Sequence, residues 1–162
     1  MPELRIGLGV DAHALAAGVP LVLGGVLLEH PSGLAGHSDG DVVAHALIDA
    51  VLGAANRGDI GTLFPSGDAS FRGASSLDLL ARAYELVRGD GWRLVNADCV
   101  VVGERPRIGP HRAEMAARLA AAMEVEPERI AVRATTTDRL GFTGREEGLA
   151  AQAVALLERP DR

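Results

Sequence analysis

Apolar residues occur along this chain in short runs, and the spacing within each run indicates its secondary structure. Segments with the length and composition of strands lie at 4–11, at 20–28, at 94–103 and at 130–137. The second of these is predicted to be a hairpin that turns at Gly24-Gly25. The third is interrupted by two polar residues, Asn96 and Asp98.

Helical spacing and helix boundary residues predict helices at about 39–56, 75–88, 110–124 and 146–158. At the start of the first helix, Ser38 and Asp41 resemble a capping box. Asp41, His45 and Asp49 then recur every four residues, which predicts a polar face opposite an apolar stripe. The Gly- and Pro-rich segment 59–73 is predicted to be a loop, and its length favours a functional role.

Strands and helices interleave without a regular βαβ rhythm, which favours an α+β fold with helices on one face of a mixed sheet. The 162 residues have the length of one domain, 1–162, without repeats or long linkers. The second face of such a sheet also needs cover, and another subunit is one way to supply it.

Composition excludes several functions. The net charge of −6 argues against general binding to nucleic acid, and no apolar run is long enough to span a membrane. All 16 basic residues are Arg, so a catalytic lysine is excluded. A lone cysteine, Cys99, cannot form an internal disulfide and fits a reducing cytoplasm, so we expect a cytoplasmic protein.

Asp11 and His13 are two residues apart in a predicted strand, so their side chains leave the same face. One carboxylate with two imidazoles is the usual make-up of an open zinc site. The third ligand is either His37 or His45, because both lie near the start of the first helix. The alternative is that these residues are ordinary polar positions of a strand and an amphipathic helix.

Two further segments have the composition of ligand-binding loops. Residues 135–138 join hydroxyls to a carboxylate, and 141–145 add glycine amides and an arginine, which together suit phosphate binding. Residues 103–109 form a rigid, basic loop. Each of them also fits an ordinary strand end or turn.

Taken together, these motifs resemble the 2-C-methyl-D-erythritol 2,4-cyclodiphosphate synthase family, the cyclising enzymes of the non-mevalonate route to isoprenoid precursors. The resemblance runs from about Arg5 to Leu157. It is carried by R-I-G-x-G-x-D-x-H at 5–13, H-S-D-G-D at 37–41 with His45, G-D-I-G at 58–61, L-F-P at 63–65, T-T-T at 135–137 and L-G-F-T-G-R at 140–145.

The resemblance implies a role for each matching position. It implies zinc, one ion per subunit, on Asp11, His13 and His45, and transition-state stabilisation by His37 and Thr136. It implies a second cation, magnesium or manganese, near Asp138. The substrate-binding positions that it implies are Asp11, His13, His37, Ser38, Asp59, Ile60, Gly61, Phe64, Asp68, Gly103, Arg105, Pro106, Arg107, Ile108, Gly109, Thr135, Thr136, Thr137, Asp138, Phe142 and Arg145.

The implied reaction is intramolecular phosphoryl transfer. The 2-phosphate of a cytidine diphosphate-linked methylerythritol attacks the β-phosphorus of its own diphosphate, CMP leaves, and a cyclic diphosphate forms. The resemblance also implies a homotrimer with active sites between neighbouring subunits.

The chain departs from the family pattern at two positions. Asp138 stands where the family usually has Glu, and Ser66 stands where many relatives carry an acidic residue, so Asp68 is the carboxylate that remains near it. Two other functions are alternatives: a zinc-dependent phosphoester hydrolase, and a trimeric binding protein with a structural metal.

Overall fold

The structure is a computed structural model that describes residues 1–161. Its main sheet has the strand order β4-β1-β7-β5-β6. These strands are β1 (Glu3–Ala17), β4 (Ser32–Leu34), β5 (Arg93–Val102), β6 (Ile130–Thr135) and β7 (Gly148–Arg159). Only the β5–β6 pair is parallel, so the sheet is mixed, as the sequence predicts.

A separate two-stranded hairpin is formed by β2 (Leu21–Leu23) and β3 (Val26–Leu28). It turns at Gly24 and Gly25, which both have positive φ angles, so the predicted hairpin and its turn are confirmed. The helices are α1 (Val42–Ala54), α2 (Ile60–Leu63), α3 (Ser76–Gly89), α4 (Arg112–Met123) and α5 (Gly141–Gly144). Short 3₁₀ turns occupy Ala69–Phe71, Gly109–His111 and Pro127–Arg129.

The long helices cover one face of the sheet. Helix α1 packs on β1 and β7, α4 packs on β6, and α3 packs against both α1 and α4. The core between them is made mainly of Ala, Val, Leu and Ile side chains, with Trp92 the largest fully buried one. The predicted architecture, an α+β fold with helices on one face of a mixed sheet, is therefore observed.

Helix α1 lies unusually close to β1 because two glycines of the strand face it. A Cβ added at Gly7 would stand 1.9 Å from the backbone oxygen of Ala50, and one at Gly9 would stand 1.8 Å from that of Ala46. Any larger residue at these positions would push α1 away from the sheet.

The opposite face of the sheet is apolar and exposed. It carries the even-numbered residues of β1 together with side chains of β7. The large hydrophobic residues on it that are most exposed are Leu4, Ile6, Leu8, Val10 and Val154. A single chain leaves this patch open to water.

One predicted helix is wrong. Residues 146–158 were expected to be helical, but 148–159 form β7, which lies between β1 and β5. Its side chains alternate, with Ala151, Ala153 and Ala155 buried and Gln152 and Val154 exposed, as a strand requires. Pairing along both edges outweighs the helix propensity of its Ala and Leu residues.

The predicted polar face of the first helix is wrong at Asp41. Asp41 is fully buried and is itself the N-cap, so the expected capping box with Ser38 is not formed. Its carboxylate accepts backbone N–H bonds from Val43 and Ala44 in α1, and from Gly24 and Gly25 at 2.9 and 2.7 Å. Asp41 thereby fastens the hairpin turn to the start of α1.

The remaining boundaries move by a few residues. The opening strand continues past its predicted end to Ala17, and β5 contains a register shift between Leu94 and Asn96. The predicted loop 59–73 contains α2 and a 3₁₀ turn.

We expect Gly9→Ala to lower the free energy of unfolding by at least about 3 kcal/mol, because its Cβ would collide with the α1 backbone. Gly53→Ala is the matched control, since a Cβ there meets nothing within 4 Å on the exposed side of α1. Urea unfolding should show the control unchanged or stabilised by up to about 1 kcal/mol. Equal effects of the two substitutions would contradict the close approach.

Burial raises the pKa of Asp41 to about 6, against the effect of its backbone N–H donors. Its folded pKa exceeds its ordinary value of 3.8, so its ionisation removes stability as the pH rises from about 4 to about 6. Asp41→Asn lacks this titration. We therefore expect the stability difference between wild type and Asp41→Asn to fall by roughly 3 kcal/mol between pH 4 and pH 7.

Urea unfolding of both proteins at equal concentration across this pH range measures that difference. A difference that does not change with pH would mean that the N–H donors fully offset the burial of the Asp41 carboxylate.

Candidate active site

Three potential metal ligands meet where β1 passes beneath α1. Asp11 and His13 project from one face of β1, and His45 projects from the first turn of α1. Asp11 Oδ2 lies 3.0 Å from His13 Nε2 and 3.0 Å from His45 Nδ1, and the two nitrogens are 3.3 Å apart. Within residues 1–161, this is the one cluster of three such side chains with ligand atoms this close together.

The geometry of this triangle fits a divalent metal. Tetrahedral zinc with bonds of about 2.0–2.2 Å has ligand atoms roughly 3.3–3.6 Å apart, close to the distances between these three atoms. A carboxylate and two imidazoles also leave a fourth position for another ligand. His37 is not in the cluster, since its Nε2 lies 3.3 Å from the carbonyl oxygen of Asp68.

The three potential ligands interact electrostatically, and these interactions shift the pKa values of Asp11 and His13. Burial opposes ionisation of Asp11, but hydrogen bonds and charge interactions with His13 and His45 outweigh it and lower the pKa of Asp11 to about 2. The hydrogen bond to Asp11 raises the pKa of His13, against partial burial. Asp11 is therefore anionic at neutral pH, as a metal-binding carboxylate must be.

Each histidine is held by its second nitrogen. His13 Nδ1 lies 2.8 Å from the Ala35 carbonyl oxygen, to which it donates, so Nε2 is free to bind a metal. His45 Nε2 lies 2.8 Å from Ser76 Oγ and 3.0 Å from Ser38 Oγ. Such outer contacts orient imidazole ligands.

A cavity of about 370 Å³ opens beside the three ligands. The predicted positions that line it are His37, Ser38, Ile60, Gly61 and Phe64, together with the three ligands. Part of its wall is apolar, because phenylalanine, isoleucine and leucine side chains belong to the lining.

Two predicted carboxylates lie outside this lining. Asp59 is the N-cap of α2, and hydrogen bonds from the Thr62 backbone and hydroxyl lower its pKa. Asp68 caps the next 3₁₀ turn, and hydrogen bonds from Ser70 lower its pKa. Ser66, not Asp68, lines the cavity.

Other predicted positions form a second cavity of about 520 Å³. Its lining includes Gly103, Pro106, Arg107, Ile108, Gly109, Thr135 and Thr136. Within residues 1–161, the Arg107 guanidinium has no carboxylate within salt-bridge distance, so its charge is available to a ligand. The Arg105 guanidinium instead donates to Glu146 at 2.7 and 2.9 Å.

The two cavities lie at the same end of the sheet but on different strands. Ala12, Ala150, Val102 and Thr135 stand side by side across β1, β7, β5 and β6. Ala12 and Thr135 are three strand spacings of about 4.8 Å apart, so roughly 14 Å separates these two residues within one chain.

The remaining predicted residues follow β6, near the second cavity. Thr136 Oγ1 donates to Asp138 Oδ1 at 3.0 Å, and Thr137 Oγ1 donates to the Leu140 carbonyl at 2.6 Å. Asp138 is exposed and has a positive φ angle. Phe142 is 43% exposed, and Arg145 pairs with Glu147.

Sequence reasoning missed several residues of the site. The first cavity is also lined by Pro65, Ser66, Gly67, Phe71 and Leu79. Pro65 lies in the L-F-P motif at 63–65 and Ser66 is one of the two departures from the family pattern, so those missed are Gly67, Phe71 and Leu79. The length of loop 59–73 points to the first two of these. The contacts of His45 with Ser76, and of Asp39 with Ser76, join positions more than 30 residues apart and have no local sequence signal.

Comparison with known proteins identifies the family of this chain. A 2-C-methyl-D-erythritol 2,4-cyclodiphosphate synthase of Synechococcus elongatus is 54% identical over 159 residues, covering 98% of this chain and 99% of that protein. A solved structure of a 2C-methyl-D-erythritol-2,4-cyclodiphosphate synthase in its CDP-bound form is 41% identical to this chain and aligns with a TM-score of 0.86. The alignment covers 94% of this chain and 99% of that one.

The bifunctional IspDF of Campylobacter jejuni aligns with a TM-score of 0.95 and 42% identity. The alignment covers 99% of this chain and 44% of that one, so this chain spans less than half of the bifunctional protein. Residues 4–158 match the YgbB family, and the chain belongs to that family.

Proposed function

We propose that this chain is a phosphorus–oxygen lyase that converts 4-diphosphocytidyl-2-C-methyl-D-erythritol 2-phosphate to 2-C-methyl-D-erythritol 2,4-cyclodiphosphate and CMP. The observation that carries the proposal is the Asp11, His13 and His45 triangle beside a cavity, in a chain whose relatives are named for this product. The names of these relatives give no support to a hydrolase or to a binding protein.

Zinc, one ion per subunit, is the metal that this ligand set fits best. Two imidazole nitrogens and a carboxylate oxygen are ordinary zinc ligands, whereas magnesium prefers oxygen alone. Bound there, zinc would act as a Lewis acid toward a phosphate oxygen and hold it in place. The open fourth position also argues against a structural metal, which is normally closed by four protein ligands.

A second cation, magnesium or manganese, is proposed for the substrate diphosphate. Asp138 is the candidate protein ligand, because it is exposed and lies beside the Thr136 hydroxyl. Within residues 1–161, Asp138 belongs to no cluster of three potential ligands, so this cation would take most of its oxygen ligands from the substrate and water.

Catalysis of this reaction depends mainly on positioning the attacking phosphate against the β-phosphorus. The attacking 2-phosphate is already an anion, so a P–O bond forms at the β-phosphorus without a strong base. The bond to the CMP oxygen breaks, and its electron pair leaves with CMP. We assign His37 and Thr136 to stabilise the charge that develops, since one lines each cavity. To donate to the substrate, each would turn its hydrogen away from its present acceptor, the Asp68 carbonyl for His37 and the Asp138 carboxylate for Thr136.

Different parts of the substrate are assigned to the two cavities. Ser38, Ile60, Gly61 and Phe64 would shape the pocket for the methylerythritol part, with Asp59 at its edge. Residues 103–109 and Thr135 would hold the cytidine and its diphosphate, with Arg107 as a cation that has no salt bridge within residues 1–161.

A homotrimer would complete the site. The exposed apolar face of the sheet needs cover, and an obligate assembly of copies is the usual solution. We propose that the metal cavity of one copy adjoins the second cavity of its neighbour, which gives active sites between subunits.

Residues 1–162 would act as one synthase domain in the cytoplasm. Burial raises the pKa of the single thiol, Cys99, to about 12, so it is inert and suits a reducing compartment. Among residues 1–161, no helix has the length and apolar character to cross a bilayer.

The reaction is tested by phosphorus NMR with substrate, magnesium and zinc. We expect stoichiometric CMP and the paired signals of a cyclic diphosphate from the wild type. His45→Ala should slow turnover at least about 100-fold, because it removes one of three metal ligands. His30→Ala, at a histidine outside the cavity lining, is the matched control and should keep its activity.

Other products decide between the alternatives. CMP with a linear phosphate product would identify a hydrolase. Absence of turnover with zinc still bound would favour a binding protein or a defect at Asp138, and recovery of activity by Asp138→Glu would identify the latter.

The assembly is tested on the exposed apolar face. Ile6, which is 73% exposed, lies in that face, so Ile6→Arg should convert the trimer to smaller species and lower activity at least about tenfold. Leu27→Arg is the matched control, because Leu27 is 70% exposed on the separate hairpin. Light scattering of the wild type as a monomer, or of both variants as intact trimers, would contradict the proposed interface.

A further inference from the structure

The His45 ring is held at both of its nitrogens, and the two contacts have different consequences. Nδ1 faces the metal triangle, at 3.0 Å from Asp11 Oδ2. Nε2 points the opposite way, to Ser76 Oγ at 2.8 Å. Ser76 is fully buried and His45 is 7% exposed, so water does not replace this contact.

The hydroxyl of Ser76 has one hydrogen, and that hydrogen is directed to Asp39. Ser76 Oγ donates to Asp39 Oδ1, and the Ser76 backbone N–H donates to Asp39 Oδ2 at 2.9 Å. Asp39 Oδ1 also accepts the Asp41 backbone N–H at 3.1 Å. An ionised carboxylate can only accept, so Asp39 fixes the direction of every one of these bonds.

The direction of these hydrogen bonds then determines which nitrogen of His45 carries the hydrogen. Because Ser76 Oγ has given its hydrogen to Asp39, it can only accept from the ring. Nε2 must therefore be the N–H donor, and the lone pair of Nδ1 is left facing Asp11 and His13.

We propose that Asp39 and Ser76 are positioning residues that set the tautomer and the orientation of His45 as a metal ligand. The proposal rests on the metal site under the proposed function. A backbone carbonyl, Ala35, orients His13 in the same sense. His45 instead depends on a side chain from the start of α3, so the first residue of that helix acts on the metal through His45.

Ser38 is a second, weaker acceptor for the same nitrogen. Its Oγ lies 3.0 Å from His45 Nε2 and 3.4 Å from Ser76 Oγ. Its hydroxyl has no carboxylate partner among the described residues that would fix its direction. Ser38 can therefore replace part of the Ser76 contact but does not determine the tautomer.

The test measures zinc affinity of the metal-free protein by competition with a chelator. Ser76→Ala should weaken zinc binding by about 10–100-fold, since loss of a partner to a metal-bound histidine has this effect. Asp39→Asn should weaken it by at least about fivefold, because the introduced amide can donate to Ser76 Oγ and release the serine hydrogen toward His45. Ser75→Ala is the matched control, because Ser75 is exposed and its side chain makes no capping bond.

A second measurement separates positioning from general destabilisation. Ser76→Ala removes a buried hydrogen-bond partner, so urea unfolding of the metal-free variant should show a loss of about 1–3 kcal/mol relative to Ser75→Ala. Zinc affinity is therefore compared under conditions in which both metal-free variants are fully folded. In zinc-loaded, ¹⁵N-histidine-labelled protein, the Nε2–H proton of His45 should give a sharp, slowly exchanging resonance. That resonance should broaden in Ser76→Ala and persist in Ser75→Ala.

Retention of wild-type zinc affinity in both Ser76→Ala and the double variant Ser38→Ala/Ser76→Ala would overturn the proposal and leave the proposed function intact. Failure of the wild type to bind zinc would overturn the metal assignment and this proposal together. A variant that loses stability but keeps zinc affinity would show a purely structural role and would also overturn it.

Discussion

The direct contact between the backbone of α1 and the glycines of β1 is the constraint on which the rest of the structure depends. Gly7 and Gly9 let the helix backbone touch the strand, with no side chain between them. Asp11 and His13 continue the same face of the strand, and His45 precedes Ala46, which lies over Gly9. Two rigid elements in backbone contact thus bring the three potential ligands within hydrogen-bond distance of one another.

Most acidic side chains around the site accept hydrogen bonds from backbone N–H groups at the start of a helix or turn. Asp41 caps α1, Asp59 caps α2, Asp68 caps a 3₁₀ turn, and Asp39 accepts the first N–H of α3. The negative charge of each carboxylate therefore offsets the partial positive charge at the N-terminus of a helix or turn near the cavity. A chain of net charge −6 can in this way surround a pocket for an anionic substrate, provided that bound cations supply the positive charge.

The sequence predicted the parts of this structure that have a local signal. Periodicity and boundary residues predict the strand with Asp11 and His13, the Gly24-Gly25 hairpin and all three long helices, α1, α3 and α4. The strand β7 was missed because its Ala-rich sequence suits a helix, and only its two neighbouring strands select the extended form. The link from Asp39 through Ser76 to His45 depends on packing of distant segments, which no local pattern encodes.

Strand β1 also connects the chemistry to the proposed assembly. Its odd-numbered residues, Gly7 to His13, face α1 and the cavity, whereas its even-numbered residues from Leu4 to Val10 form the exposed apolar face. A shift of one residue in the pairing of β1 with β7 would exchange these two faces, placing the ligands in the apolar patch. The collision with α1 that any side chain in place of Gly7 or Gly9 would cause excludes that register. The same two glycines therefore fix both the face that carries the three potential metal ligands and the face that a neighbouring copy would cover.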